Sequence, residues 1–498
     1  MAKNIMVEEN DSREIRRGLM LINGKWTESA DGRFLNVETP TERGRVIGEV
    51  PRAGAEDVDS ACKAAAMAFA GWRRIPPRER GFVLMKIADE IESKTEELAR
   101  SLALENGKAI RTAARPEIKN AADLFRYYGG VAGELKGETV PLGDGVLTYT
   151  RREPLGVVAG IVPWNGPMSG SAVKVASALA CGNTMVLKPS IFAPLTVLEC
   201  GRICSKYLPA GVLNVITGTG AECGDLLARH PLIKHLSLTG STQVGRSAMM
   251  ASAERIVPVT MELGGKNPQI VFPDADDDRM AEGVIASARF INQGQSCASG
   301  TRVYLHESIY ESFLEKLVKI TNQMKTGYPL DETVDIGPLT NREQFDKVST
   351  YIKDGISQQG VRVMTGGLPA TEGPLAKGYY VKPTIMADVQ HEWRIAREEI
   401  FGPVMSVISW RDEDDVIRMA NDTLYGLTGF VWTYNIGKAL RTAHAIEAGT
   451  IGVNQWAGNP PGHSYGGYKQ SGVGKEFSLE GMLDGLTNRK VVTVNLKF

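Results

Sequence analysis

From about Asp57 to Leu135, apolar residues recur three and four positions apart in "DVDSACKAAAMAFAGW", "PPRERGFVLMKIADEIESKTEELARSLALENGK" and "PEIKNAADLFRYYGGVAGEL". That period predicts helices, and Pro76 and Pro77 mark a helix start. From Gly156 to Gly265 the pattern changes. Short β-branched runs, "GVVAGIVPW", "TMVLKPS", "GVLNVITG", "IKHLSLTG" and "VPVTMELGG", alternate with helical segments such as "SGSAVKVASALACGN" and "LTVLECGRICSKYL". Strand and helix alternating at roughly 30 residues per unit predicts right-handed crossovers and a parallel sheet covered on both faces. The unusual residues, "PWN", "KPS", "TGTG", "TGST" and "ELGG", fall at the C-terminal ends of the five strands. In an open parallel sheet those ends share one edge, where ligands bind.

After Asn267 a second α/β region is predicted, with strands at "PQIVF", "TRVYLHE", "MSVISW", "LTGFVWT" and "TIGVNQW". One of its helices is expected to open with a capping box from Ser308 to Glu311. Two strand-like segments fit neither region, "VLTYTRRE" and the terminal "VVTVNLKF". In the second, Val492, Val494, Leu496 and Phe498 alternate with Thr493, Asn495 and Lys497. One apolar face at a chain end needs a cover. The strand could close a sheet of its own chain; pairing with another subunit is the expectation preferred here.

At 498 residues the chain exceeds what one hydrophobic core fills, so two or three domains are expected. With 43% hydrophobic and 23% charged residues and a formal net charge of −1, it has no basic excess for nucleic acid. The opening stretch "MAKNIMVEENDSREIRRG" lacks an apolar leader, and no run is long enough to span a bilayer, so the expectation is a cytoplasmic protein without membrane contact. Six cysteines and six histidines are scattered without ligand or disulfide spacing, and no metal site is expected.

Candidate chemistry lies on the predicted sheet edge. "VITGTGAECGDLLARH" carries Gly218, Gly220 and Gly224 between a strand and a helix, near a dinucleotide fingerprint but weak alone. "TGSTQVG" leads into another helix, where free N–H groups and the Ser241 hydroxyl could hold a phosphate, and Lys188 adds a cation. Glu262 ends a strand beside Gly264 and Gly265; alone it could be merely solvated. Asn165 follows Pro163 and could simply cap the next helix. Cys297, in "NQGQSCASGTR", has small polar neighbours where a core cysteine has bulky apolar ones. The preceding helix is expected to end at Gly294, leaving the thiol on a loop, away from any helix N-terminus that would activate it.

"MELGGKNP", "GQSC", "PWN", "TGSTQVG", "EEIFGPV" and "YGGYKQSGVGKE" together, in order and spacing, resemble the motifs of the NAD(P)-dependent aldehyde dehydrogenase superfamily across nearly the whole chain. The resemblance implies an α/β fold of three parts: a Rossmann-like cofactor domain (1–134 and 153–262), an α/β catalytic domain (263–478) and a β oligomerisation arm (135–152 and 479–498). It implies Cys297 as nucleophile, Asn165 with the Cys297 N–H as oxyanion donors, and Glu262 as general base. It implies Ile161, Pro163, Trp164, Lys188, Ser190, Gly220, Gly240 and Ser241 along the adenosine and pyrophosphate path. Glu399 and Phe401 would meet the nicotinamide ribose. NAD or NADP would be the cofactor, a small-molecule aldehyde the substrate, and a homodimer or homotetramer the assembly.

Departures from the family pattern shape the expectation. Ile191 stands where NAD-preferring members often carry a glutamate, which leaves NADP open. Gly166, Ser169, Gly170, Val173 and Ile291 are smaller than the aromatic, Met or Trp residues common at these positions, so a bulky aromatic or long-chain aldehyde is expected. Ile291 also replaces the arginine of relatives that bind succinic semialdehyde, which argues against a dicarboxylic semialdehyde. Two alternatives stand beside aldehyde oxidation: a coenzyme-A-acylating enzyme, which Glu262 disfavours, and a catalytically silent structural or binding protein of this fold, which the joint presence of Cys297, Glu262 and Asn165 disfavours.

Overall fold

The computed structural model describes residues 15–456 and 458–497. The start of the N-terminal stretch inspected for a leader, and Phe498 of the terminal strand, lie outside them.

The helical scaffold forms where the period predicts it. In α1 (Ala55–Trp72), Val58, Ala61, Cys62, Ala65 and Trp72 are buried, one face of a 3.6-residue repeat. The long run after Pro76 is two helices, α2 (Pro77–Ser93) and α3 (Thr95–Asn106), separated at Lys94 (φ −101°, ψ 16°). Ser93 and Thr95 hydroxyls donate to the carbonyls of Glu90 and Glu92, the local competition by which such residues break helices. Helix α4 (Arg115–Val131) packs between α2 and α5 (Pro167–Ala180).

All five strands expected between Gly156 and Gly265 are present: β1 (Val157–Ile161), β2 (Thr184–Lys188), β3 (Leu213–Val215), β4 (Ile233–Thr239) and β5 (Val259–Glu262). They are parallel, in the order β5-β4-β1-β2-β3. Strand order reverses between β1 and β4, so their C-terminal ends open a crevice at a topological switch point. Two antiparallel additions extend the sheet: the hairpin of Met20–Ile22 and Lys25–Thr27 beside β3, and Gly472–Val473 beside β5. The second pairs Gly472 with Glu262, so a segment expected in the catalytic part completes the cofactor-side sheet. A two-residue strand among glycines carries no hydrophobic pattern that could have revealed it.

The second sheet contains β6 (Pro268–Val271), β7 (Arg302–His306), β8 (Arg362–Thr365), β9 (Thr384–Ala387), β10 (Val404–Trp410), β11 (Thr428–Trp432) and β12 (Thr450–Val453), in the order β8-β9-β10-β7-β6-β11-β12. Only β8 runs antiparallel to its neighbour. Four-residue strands such as β8 and β9 are too short for a periodic signature.

Two expectations are corrected. Helix α10 (Tyr310–Gln323) follows a 3-10 turn, and Ser308 bonds the His306 ring instead of capping, so the Ser308–Glu311 box does not form. Helix α9 (Asp278–Ala288) stops well before Gly294, because Arg289 turns left-handed at φ 58°. The terminal strand Thr487–Asn495 pairs antiparallel with Val146–Pro154 of its own chain, from Thr487 opposite Pro154 to Asn495 opposite Val146, and its other edge has no strand partner among the described residues. Its expected apolar face is not buried: Val494 and Leu496 are exposed. The helix before it, Leu479–Leu486, packs on α5 and sends Met482 and Leu486 into the first core. Among the described residues no helix is long and apolar enough to cross a membrane.

Candidate active site

Five of the six cysteines are buried, and Cys297 alone is partly exposed. Its loop is built by unusual backbone: Arg289, Gln293 (φ 54°) and Gly294 (φ 64°) are all left-handed. A side chain at Gly294 would place its Cβ 2.2 Å from the Gly402 carbonyl oxygen, so the tight approach requires glycine. The loop is then pinned from several sides. Gln293 donates to the Gly107 carbonyl (2.8 Å), and Gln295 exchanges bonds with Thr340. The Cys297 carbonyl accepts from Asn267 (2.8 Å), beside Gly265, whose missing Cβ would lie 2.3 Å from that oxygen. The backbone of Cys297 is thus fixed by "ELGGKNP", the turn after β5.

Burial pushes the Cys297 thiol up to about 12, reinforced by the negative charges of Glu399 and Glu262 and opposed by the Tyr465 hydroxyl, 3.9 Å from Sγ. The resting sulfur is protonated and needs a base or a nearby positive charge. Glu262, at the end of β5, is 2% exposed, and neither carboxylate oxygen has a hydrogen-bond partner. Burial, with Glu476 nearby, holds its acid well above the usual range. The Asn165 amide donates one N–H to the Gln295 carbonyl (3.0 Å), which leaves its second N–H, and the helix-capping position belongs to Gly166.

Two cavities meet at Cys297 and Asn165. One, of about 170 Å³, is lined by Pro163, Trp164, Gly240, Ser241, Glu399 and Phe401. It sits at the switch point between β1 and β4. Trp164 and Phe401 meet edge to face at 5.3 Å, and Glu399 accepts from the Gly265 N–H (2.9 Å). Ser241 caps α8 (Thr242–Ala253) through the Val244 N–H. A glycine turn at a helix start, aromatic walls and a carboxylate suit a dinucleotide's phosphate, ring and ribose in turn. The other cavity, of about 400 Å³, holds Glu262 and all five small positions, Gly166, Ser169, Gly170, Val173 and Ile291.

Ile161, Lys188, Ser190 and Gly220 line neither cavity but lie along the same sheet edge. Ile161 is in register with Lys188. Lys188 is 4% exposed, donates to the Pro189 carbonyl (2.9 Å), and is held below its usual range by burial. Ser190 accepts weakly from Phe192 (3.4 Å). A Cβ at Gly220 would meet nothing within 4 Å, an open approach to the backbone, and the turn Gly220–Gly224 is a π-helical loop leading into the five-residue Asp225–Arg229 helix.

Sequence reasoning left several site residues unassigned. Tyr465 and Asn267 stand inside quoted motifs but received no role. Gln344 and Lys347, on α11 (Arg342–Ile356), line the smaller cavity, and Gln344 holds the Phe401 turn through the carbonyls of Ile400 and Phe401. An ordinary amphipathic helix gives no sign of such duties. Among the described residues no group of three or more His, Cys, Asp or Glu is placed to hold a metal.

The family model of the aldehyde dehydrogenase family matches residues 26–492. Among solved structures, the NAD+ complex of an aldehyde dehydrogenase from Bacillus cereus is 38% identical, covering 97% of each chain at a TM-score of 0.93. An NAD-dependent aldehyde dehydrogenase from Sinorhizobium meliloti is also 38% identical, covering 98% of this chain and 97% of that one at 0.94. PnpE from Pseudomonas sp. WBC-3 is 37% identical, covering 96% and 98% at 0.93. With both sheets, the paired cavities and these likenesses in agreement, the chain belongs to the aldehyde dehydrogenase family, oxidoreductases that act on aldehydes with a nicotinamide dinucleotide.

Proposed function

We propose that this protein oxidises a bulky aromatic or long-chain aldehyde to the carboxylic acid with NAD or NADP, through a thiohemiacetal and then a thioester on Cys297. One observation carries the reading: Cys297 stands where the switch-point cavity meets a cavity that holds an unpaired buried carboxylate. The bound dinucleotide supplies the hydride acceptor. The chain's own residues do the rest. The Cys297 sulfur bonds to the carbonyl carbon as its proton leaves, and Glu262 is the base within the cavity that can take it. The carbonyl oxygen becomes an oxyanion held by the free Asn165 N–H and the Cys297 N–H, typically worth about 3 kcal/mol per donor.

Hydrolysis follows from the state of Glu262. A carboxylate without hydrogen bonds has both oxygens available to orient a water and take its proton, which releases the acid and regenerates the thiol. That favours water over coenzyme A as acceptor. The five small residues along the 400 Å³ cavity support a wide substrate. Ile191 leaves the adenosine end without the glutamate charge that would repel a 2′-phosphate.

Formation of NADH or NADPH, measured over a panel of aldehydes, tests the reaction, with Cys297→Ala expected to lower turnover by about 10⁴-fold or more. Turnover untouched by that change would refute the scheme. Addition of coenzyme A should leave the rate and the acid product unchanged.

Assembly as a homodimer or homotetramer is part of the same proposal. The arm sheet pairs Thr487–Asn495 with Val146–Pro154, while the outer edge of the terminal strand has no strand partner among the described residues. An exposed edge bearing Val491 and Leu496 is suited to pairing with a second copy. Light scattering of the intact chain, against a variant with Val491 replaced by Lys, measures it.

A further inference from the structure

The larger cavity contains one charge that the reaction above does not use. Arg289 lines it, turned out of α9 by its left-handed backbone. Its guanidinium lies over the Trp456 ring, 4.7 Å from the centroid. Its Nε is buried without a hydrogen-bond partner, and no carboxylate among the described residues pairs with it. Three other charged groups on the cavity wall, Lys108, Glu117 and Glu476, are held in ion pairs. Lys108 is bound to Glu117, and Glu476 to Lys174 at 2.8 Å. Glu262 has no hydrogen-bond partner, and burial raises its pKa well above the usual carboxylate range. The cavity thus presents one guanidinium outside any ion pair, on a planar group already held against an aromatic face.

A buried guanidinium with an open donor is costly unless a ligand completes it, and carboxylates complete it through paired N–H···O bonds. Resting on the aldehyde oxidation proposed above, we infer that the substrate is an aldehyde bearing a carboxylate at its far end, and that Arg289 selects it by binding that carboxylate. Ile291 removes a cation at one position only. Arg289, two residues earlier, places a cation in the same funnel by another route. The open volume beside Ile291 then accommodates the body of the substrate while Arg289 meets its acid.

The test uses matched pairs that differ only in charge: para-formylbenzoate against its methyl ester, and adipic semialdehyde against its methyl ester. The wild-type enzyme should favour each acid over its ester by about 10- to 100-fold in kcat/KM, chiefly through a lower KM, the usual value of a hydrogen bond to a charged group. Arg289→Met should bring the ratio to about one while leaving the ester within about threefold. Arg289→Lys, which keeps the charge but loses the fork, should retain part of the preference. A wild-type preference for the esters, or an Arg289→Met variant that slows acid and ester alike, would overturn the inference and leave Arg289 a structural residue. The wild-type comparison decides even if the variants fold poorly. Turnover of the esters without acid preference removes only this inference, whereas no turnover of any aldehyde removes the reaction and the inference with it.

Discussion

Two buried glutamates line the larger cavity, and their surroundings differ completely. Glu117, on α4, is bound by Lys108 and accepts the Met168 and Ser169 N–H groups that open α5. A carboxylate at a helix N-terminus with a lysine beside it has its charge fully answered. Glu262, at the end of β5, has no hydrogen bond at all. Nothing in the local sequence separates an acid that holds two helices together from one kept available for a proton. Partners make the difference: satisfied acids build the wall, and the unsatisfied acid is free to act on what enters.

The comparison breaks most sharply at Glu262 itself. Glu262→Gln keeps the shape and removes the base, so turnover should fall by about 10³-fold, with a thioester accumulating on Cys297 in rapid-quench mass spectrometry. Full turnover, or no trapped acyl group, would place Glu262 with Glu117 among the structural acids. The converse substitution, Glu117→Gln, leaves Lys108 buried and unpaired and should cost about 3 kcal/mol in denaturant unfolding, with catalysis changed far less.

Protonation sharpens the contrast further. Because the Cys297 thiol and the Glu262 acid both titrate above their usual ranges, kcat/KM should rise with pH through the neutral region, by up to about tenfold per pH unit where one deprotonation limits. Glu262→Gln should remove that limb for thioester hydrolysis. Stability moves the other way. An acid whose folded pKa is raised binds its proton in the native state after the unfolded chain has lost it, so its contribution falls as pH rises above the unfolded value of about 4.3. The melting temperature of Glu262→Gln should therefore exceed that of wild type by a small margin that widens between about pH 5 and pH 8. A constant or inverted gap would mean that Glu262 is ionised and satisfied when folded.

Local sequence reached as far as local forces reach. Five β-branched runs of the first sheet, the amphipathic helices beside them and the placing of Trp164, Lys188, Ser241 and Glu262 at strand ends were legible, because strand and helix periods are written in consecutive residues. The cysteine was legible for a similar reason, since its neighbours are wrong for a core. Gly472–Val473 was not, nor was the pairing of the terminal strand within its own chain: two residues carry no period, and a strand's partner is set by distant segments. What the sequence by itself determined was the α/β class, the cysteine set on a small polar loop and the sheet edge along which the unusual residues gather. Only the tertiary structure decided that Asn267 fixes the thiol loop, that Glu117 is satisfied while Glu262 is not, and that Arg289 faces the cavity without an ion-pair partner. Hydrogen bonding and desolvation depend on what long-range packing brings within about 3 Å, and that distance is not encoded in the spacing of neighbours along a chain.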